Sequence, residues 1–482
     1  GARGGALPGA AAGEALEKKG EEMTMSYRSL LLLLPALLAL PPEGRSQAAE
    51  AETAGPAAIA LTLEEAVGIA LGPAGDARAR IAEERVGQAR ARSDQSRAAL
   101  LPHIEASFGQ QSVTRNLAAF GINVRLPIPG YDFPTYAGPF DVFDARASAA
   151  LSVLDLGAIR RYQASRKGIL GAEQERESAR DRIRETVARA YLGLLKARAG
   201  LEAARSNVDL AERLLGLAES RKAAGAGIGI EITRARVQLA NERQHLLAAV
   251  NGENRAQLEL VRTLGLDLGL RVEPSGAMAY VPEAVHDFRE ALQTALERRT
   301  DWKAQLEREE AARLEQSADR MERLPSVRLF AEYGTIGSGI DDAVPTRTYG
   351  FSVQVPVFDG GRTDGRRAES ASRLRQLEAE TRDLRAQIEL DIRLALDSLE
   401  SADLQVAAAG EGLLLAEQEL AQAERRFEAG VGSSIEATGA QTRLERARAN
   451  RIDALFAHGM ARIDLYSALG TIAQMISGGT NP

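Results

Sequence analysis

The feature that most constrains the fold of this chain is an internal duplication. An apolar series begins at Ile183 and continues at alternating intervals of four and three residues, the 3.5-residue period of a coiled-coil seam. A second series begins at Ile388, and each of its first eleven members lies 205 positions after its counterpart in the first series. The first series is Ile183, Val187, Ala190, Leu194, Ala197, Leu201, Ala204, Val208, Ala211, Leu215 and Ala218; the second is Ile388, Ile392, Ala395, Leu399, Ala402, Val406, Ala409, Leu413, Ala416, Leu420, Ala423 and Phe427. This shared register predicts two copies of one structural unit.

Each copy is predicted to contain a helix, two strands, a long helix, a tight tip and a returning helix. The first repeat (49–270) is predicted to have a helix Leu63–Ala99, strands at about 102–114 and 145–155, a helix 159–222, a tip 223–231 and a helix 231–264. The second (285–470) is predicted to have a helix Asp287–Arg323, strands at about 326–334 and 348–358, a helix 364–428, a tip 429–435 and a helix 435–469, followed by a tail 471–482. Pro102 and Pro325 are expected to end the first helix of each copy.

The N-terminal region indicates export. Residues 1–22 are interpreted as a non-native or mis-annotated extension, and 23–48 as a secretory signal peptide. Arg28 precedes an apolar run from Leu30 to Leu40, and small residues before Ala49 provide a cleavage site. The run is too short for a spanning helix, which needs roughly 20 apolar residues.

The segments after the two prolines alternate between apolar and polar residues. In the clearest case, Tyr349, Phe351, Val353, Val355 and Val357 alternate with Gly350, Ser352 and Gln354. This period is typical of a transmembrane β-strand with one face to lipid and one to a polar lumen, although a half-buried soluble sheet shows the same alternation. Four strands cannot close a barrel, so a barrel shared between chains is expected, with a long connection (Thr114–Asp144) and a short one (Thr335–Arg347).

Composition excludes several classes of function. The chain has no cysteine, and its four histidines are far apart in sequence, so neither a thiolate site nor a histidine pair at helical spacing is present. A net charge of -7 argues against a nucleic-acid partner. No catalytic constellation is visible, and we expect no enzyme activity, cofactor or metal site.

The duplicated unit, the two strand exits and the second turn together resemble the TolC family of outer-membrane efflux proteins. The exits are Val153-Leu154-Asp155-Leu156-Gly157 and Val357-Phe358-Asp359-Gly360-Gly361, and the turn runs from Phe427 to Gln441. The resemblance implies a homotrimer whose chains share a twelve-stranded β-barrel in outer-membrane lipid, continued by a long coiled-coil-like α-barrel across the periplasm. It also implies a passive duct that docks on a periplasmic adaptor protein and an inner-membrane pump of RND or ABC type. The predicted fold class is therefore mainly α, with a β-barrel portion.

The same resemblance suggests two kinds of site. The tips are expected to contact the adaptor through Gly225, Gly227, Ile228, Ile230, Glu231, Gly430, Gly432, Ser433 and Ile435. Phe427 and Glu436 fall where the family has a constriction at the periplasmic entrance. The chain departs from the family at Phe427, Gly432 and Gly439, so any ionic lock would need other residues such as Arg425 or Arg426. The simpler alternatives are that the glycines only reverse the chain and that Glu436 is a solvated helix-start carboxylate.

An alternative function is an exported periplasmic coiled-coil scaffold, or an adaptor-like protein without a membrane barrel. This alternative explains the helical seams but leaves the four alternating segments without a role.

Overall fold

A computed structural model of the chain describes residues 58–73, 75–122, 134–225, 227–283 and 287–478. The predicted extension (1–22) and signal peptide (23–48) lie outside the described residues, as does the end of the predicted tail.

Helices make up most of the described residues. In chain order they are α1 (Leu63–Leu71), α2 (Ala77–Ala98), α3 (Leu156–Ala223), α4 (Gly229–Leu264), α5 (Phe288–Arg298), α6 (Thr300–Met321), α7 (Arg362–Glu428), α8 (Ser434–Leu469) and α9 (Ile472–Ser477). Helices α3 and α7 have 68 and 67 residues, so each is about 100 Å long at 1.5 Å per residue. Within the described residues, no helix combines the length and apolar character needed to cross a membrane.

The strands form two sheets. In chain order they are β1 (Ala58–Leu61), β2 (His103–Asn116), β3 (Tyr136–Leu154), β4 (Arg271–Pro274), β5 (Ser326–Gly337) and β6 (Val344–Gln354). The larger sheet has the antiparallel order β2-β3-β5-β6, so the strand pairs of the two repeats are joined through β3 and β5. The fold is therefore mainly α, with a duplicated helix–strand–strand–helix–turn–helix unit, as predicted.

The predicted apolar seams lie in the helix interfaces. Ile183 and Val187 of α3 are at most 1% exposed, and Ile388 and Ile392 of α7 are fully buried. Helix α3 packs along α2, α4, α6 and α8, and α7 packs along α5, α6 and α8. Alanines between the larger seam residues, such as Ala211, are also buried and let the neighbouring helices approach closely.

The prediction of one continuous first helix in each repeat is wrong. In the first repeat, Gly72 and Pro73 separate α1 from α2, and the Asp76 carboxylate caps α2 by accepting a hydrogen bond from the Arg78 amide at 2.8 Å. In the second repeat, Arg299 has an extended backbone (φ -58°, ψ 124°) between α5 and α6. Its guanidinium forms ion pairs with Asp301 at 2.8 Å and Asp391 at 3.0 Å, and these contacts fix the break.

The small parallel sheet was not predicted. Strand β1 pairs with β4 from Ala58 opposite Arg271 to Leu61 opposite Pro274, so the beginning of the first repeat meets the segment that follows it. The buried Tyr191 hydroxyl of α3 donates to the Ser275 carbonyl at 2.9 Å and lies 3.1 Å from that of Leu61. Burial raises the pKa of Tyr191 to about 12. The four-residue strands are too short to show a period in the sequence.

Toward the long helices, the larger sheet has one apolar and one polar face, whereas at the far end of β2 and β3 the pattern reverses, with Val113 opposite Phe140 and Ser112 opposite Asp141. Directly paired residues share a face, and one row across all four strands is Ile104, Ala149, Ala331 and Tyr349. The adjacent row, on the opposite face, is Glu105, Ser148, Glu332 and Thr348. On that polar face Arg146 forms ion pairs with Asp144 and, at 3.4 Å, with Glu332. The predicted alternation therefore continues across the four strands.

The strands differ from their predicted extents. Strand β3 begins at Tyr136 rather than near 145, because it pairs with β2 as far as Asn116 despite its glycine, proline and aspartates. Strand β6 begins at Val344, and it ends at Gln354 rather than near 358, because Pro356 has no amide hydrogen to continue the ladder. Val355 and Val357 therefore lie beyond the strand.

If the apolar face contacts lipid, a charge on it will block membrane assembly. Phe351 lies on that face opposite Leu329, so Phe351→Arg should cost about 2–4 kcal/mol near the bilayer midplane. Thr348→Arg, opposite Glu332 on the polar face, is the matched control and should be tolerated. The measurement is the amount of folded protein recovered from the membrane fraction. Equal losses in both variants would contradict the assignment of the faces.

Candidate functional site

The first tip reverses the chain between α3 and α4 in a few residues. Gly225 has φ +75°, a left-handed conformation that favours glycine. At Gly227, a Cβ would lie 2.9 Å from the backbone nitrogen of Lys222, so a side chain would collide with the end of α3. The Glu231 carboxylate accepts a long hydrogen bond (3.5 Å) from the Ile228 amide at the start of α4.

The second tip has the same construction between α7 and α8. Gly430 has φ +77°, and a Cβ at Gly432 would lie 2.9 Å from the Arg426 carbonyl carbon. The amides of Val431 and Gly432 both donate to the Arg426 carbonyl, at 3.1 and 2.8 Å. Ser433 caps α8 by accepting a hydrogen bond from the Glu436 amide at 3.3 Å. In both tips the glycines are therefore required by the turn itself.

The tips expose apolar side chains that a turn does not need. Ile228 and Ile230 are 62% and 51% exposed at the first tip, and Ile435 is 62% exposed at the second. Val431, which is 71% exposed between the two glycines, was missed by the sequence analysis. Its exposure could have been predicted from its position between two turn glycines, since a residue there has no helix face on which to be buried.

Phe427 lies between the two helical hairpins. The side chain is 2% exposed and packs with Ala218 of α3 and Ala437 of α8. The Arg221 guanidinium lies 4.2 Å from the centre of the ring, a cation–π contact. Phe427 therefore connects the end of α3 in the first repeat to the second tip.

Glu436 is paired within its own tip. Its Oε1 accepts a hydrogen bond from Nε of Arg426 at 2.9 Å, and both side chains are well exposed. An exposed pair of this kind contributes about 0–1 kcal/mol to stability. Its main effect is electrostatic, because the carboxylate charge is compensated by a cation on the opposite side of the turn.

One cluster of potential metal ligands occurs in the described residues, away from the tips. It consists of Glu242 and His245 on α4 and Glu445 on α8. The four histidines are far apart in sequence, and His245 meets Glu445 only through the packing of the two repeats, so the sequence predicts no metal site here.

The duplicated helical hairpins, the sheet with one apolar and one polar face, and the narrow tips together define an outer-membrane channel-tunnel. The sequence matches the family described as Outer membrane efflux protein over residues 78–266 and 291–471, one segment in each repeat. The chain therefore belongs to the outer membrane efflux protein family.

Similar proteins are known by sequence and by structure. The chain is 25% identical over 397 residues to the pyoverdine export outer membrane protein OpmQ of Pseudomonas aeruginosa, covering 80% of each sequence. It is also 25% identical to the outer membrane protein OprJ of Pseudomonas aeruginosa, covering 74% of this chain and 71% of OprJ. By fold it resembles CusC, with a TM-score of 0.73, 18% identity and coverage of 85% of this chain and 92% of CusC. It resembles the Campylobacter jejuni CmeC channel with a TM-score of 0.71, 18% identity and coverage of 92% and 97%.

These similarities confirm the predicted class and location. The chain is an outer-membrane efflux channel, and proteins of its family work within export systems that also contain an adaptor and an inner-membrane pump.

Phe427→Ala should loosen the contact between the hairpins without unfolding the chain. Truncating a buried phenylalanine typically costs about 3–5 kcal/mol, and here the loss is concentrated at the tips. Amide hydrogen exchange should therefore accelerate in the last turns of α3 and α7 while the rest of the long helices stays protected.

Val431→Ala is the control for Phe427→Ala, since the Val431 side chain is 71% exposed and its truncation should leave exchange unchanged. Unaltered exchange in Phe427→Ala would show that the ring does not hold the tips together.

Proposed function

We propose that three copies of the chain close a twelve-stranded barrel in the outer membrane and form a passive exit duct that performs no chemistry. The observation that carries this proposal is the pair of open edges on the larger sheet, β2 on one side and β6 on the other. In hydrocarbon each unpaired backbone amide or carbonyl costs several kcal/mol, so both edges need partners.

The strand order supports pairing between copies. Because each strand is antiparallel to its neighbour across β2, β3, β5 and β6, the two edge strands run in opposite directions. Strand β6 of one copy can therefore pair antiparallel with β2 of the next, as a closed barrel with an even number of strands requires. Cyclic closure of three copies gives twelve strands and a polar lumen lined by the face that carries Arg146 and Glu332.

Export of the chain to the outer membrane is part of the same proposal. The segment 23–48 would act as a removable signal peptide, and the long helices would then extend into the periplasm. Residues 1–22 have no role in this scheme.

We further propose that the two tips of each copy dock on a periplasmic adaptor protein coupled to an inner-membrane pump of RND or ABC type. The support is the exposure of four apolar side chains at the tips, Ile228, Ile230, Val431 and Ile435. Apolar residues at the centre of a small contact surface commonly contribute most of the binding free energy. A turn whose only task was to reverse the chain would favour polar residues at these positions.

The pairing of Glu436 with Arg426 would reduce the negative charge at the proposed entrance. Three unpaired carboxylates around the axis would attract cations strongly. Because each Glu436 accepts from an arginine of its own chain at 2.9 Å, we infer a weaker attraction than an unpaired ring would give. The buried Phe427 would act by holding the hairpins in place rather than by lining the duct.

The assembly is tested by measuring the mass of the folded protein in mild detergent. Static light scattering should give the mass of three chains. Loss of pairing at either edge, for example by a proline in the middle of β6, should give monomers that aggregate or unfold. A stable, folded monomer of the unaltered chain would contradict the proposal.

Docking is tested by a charge at the exposed apex of the second tip. Val431→Asp should weaken binding to the periplasmic adaptor of the same export system by about fivefold or more, since burying an unpaired charge in an apolar contact is unfavourable. Binding is measured by surface plasmon resonance, and export is measured in whole cells.

Val431→Ala keeps the tip uncharged but removes part of the apolar contact, so it should bind less tightly than the unaltered protein and more tightly than Val431→Asp, while light scattering verifies that both variants remain trimers. Adaptor binding by both variants at the level of the unaltered protein would remove the second tip from the docking surface.

A further inference from the structure

A carboxylate–imidazole cluster joins the returning helices of the two repeats. Glu242 and His245 lie one turn apart on α4, and Glu445 lies on α8. One ligand atom from each of the three residues lies within 4.8 Å of the other two. The three residues thus bring two carboxylates and one imidazole to a single point between helices that are distant in sequence.

One carboxylate oxygen of Glu242 has no hydrogen-bond partner in the part of the chain that the structure describes. The residue is 1% exposed, and its Oε1 accepts a hydrogen bond from the side-chain Nε2 of Gln238 at 2.6 Å. Its Oε2 is buried and has no hydrogen-bond partner among the described residues. Burial, together with repulsion from the Glu445 carboxylate, raises the pKa of Glu242. A buried carboxylate oxygen in this situation needs a cation or a proton to offset its desolvation.

The distances within the cluster suit a small metal ion. Nδ1 of His245 lies 3.2 Å from Oε1 of Glu445 and 3.9 Å from Oε2 of Glu242. Ligand atoms around a tetrahedral ion with bonds of about 2.0 Å are about 3.3 Å apart. The His245–Glu445 distance already matches this spacing, and binding would require the Glu242 oxygen to move closer to the other two ligand atoms, which lie within 4.8 Å of it.

The cluster is also accessible. His245 and Glu445 line a cavity of about 590 Å³ between α3, α4 and α8, whose walls include small residues such as Gly200 and Ala249. The cavity provides an entry path and room for a water molecule as a further ligand. Glu242, by contrast, does not line the cavity and is 1% exposed.

We propose that Glu242, His245 and Glu445 bind a divalent first-row transition-metal ion, for which Zn²⁺ is the best-matched probe. Two carboxylate oxygens and one imidazole nitrogen are ligands that Zn²⁺ accepts, with water in the fourth position. Because the ligands come from α4 in the first repeat and α8 in the second, the bound ion cross-links the two hairpins. The site does not depend on barrel closure or on adaptor docking, since all three ligands belong to one chain.

The proposal is tested on the full chain purified in detergent without a histidine tag. Isothermal titration with Zn²⁺ should show one ion bound per chain, and Co²⁺ should give the visible absorption of a low-symmetry, four-coordinate site. Glu242→Gln and His245→Asn should each weaken Zn²⁺ binding about tenfold or more and reduce the Co²⁺ absorption. Zn²⁺ should also raise the midpoint of thermal unfolding of the unaltered chain but not of the two variants.

His103→Gln is the matched control, because it removes an exposed histidine of β2 outside the cluster and should leave binding unchanged. The Co²⁺ spectrum of the unaltered chain keeps the test decisive if a variant fails to fold. Absence of saturable Zn²⁺ binding by the unaltered chain would overturn the proposal, as would binding that both cluster variants retain. In that event Glu242 holds a proton and pairs with its neighbours without metal.

Discussion

The rest of the structure depends on the burial of an apolar seam in each of two helices of nearly 70 residues. A helix of this length cannot be covered by a single compact core, so it has to find apolar partners along its whole extent. Helix α3 meets this requirement by packing against α2 and α6 along its first part and against α4 and α8 along its second part. The alternation of a large residue with alanine, as at Val208 and Ala211, keeps the seam narrow enough for close packing on both sides. The duplication supplies α6 and α8 as partners of α3, because the second repeat carries an apolar seam in the same register as the first.

The long-range pattern could be predicted from the sequence because it is periodic, whereas the local interruptions could not. The seams, the two-sided sheet and the tips each repeat a simple spacing or a glycine pair. The break at Arg299 depends instead on an ion pair with Asp391, more than 90 positions away, which no local pattern indicates. Phe330 is an aromatic residue on the polar face of the sheet, where it lies opposite Gly350. In the structure its ring covers Gly350 on the neighbouring strand, where a Cβ would lie 3.0 Å from the ring, so the glycine accommodates the aromatic residue.

The candidate site was predictable only in part, for a related reason. The tip glycines follow from the turn geometry, but the environment of each tip side chain depends on the other hairpin. Phe427 continues the seam of α7, and its burial depends on Ala218 of α3, 209 positions earlier in the numbering, as well as on Ala437. Glu242 and Glu445 likewise meet only because α4 and α8 are brought together. The contacts between the two repeats could therefore not be predicted from the sequence pattern of either repeat alone.

The tips combine a fixed interior with an apolar exterior, and the two properties support each other. Inside, Phe427 and Arg221 connect the hairpins, and the Arg426 carbonyl accepts two amide hydrogen bonds that hold the second turn. The Arg426–Glu436 pair compensates charge beside the turn without covering its apex. Outside, Val431 and Ile435 remain exposed, although burying them would be favourable. A rigid turn loses little conformational entropy when it binds, so the apolar area at its apex is available for association with a partner. This arrangement supports the proposal that a short turn at the end of a helix about 100 Å long contacts the adaptor.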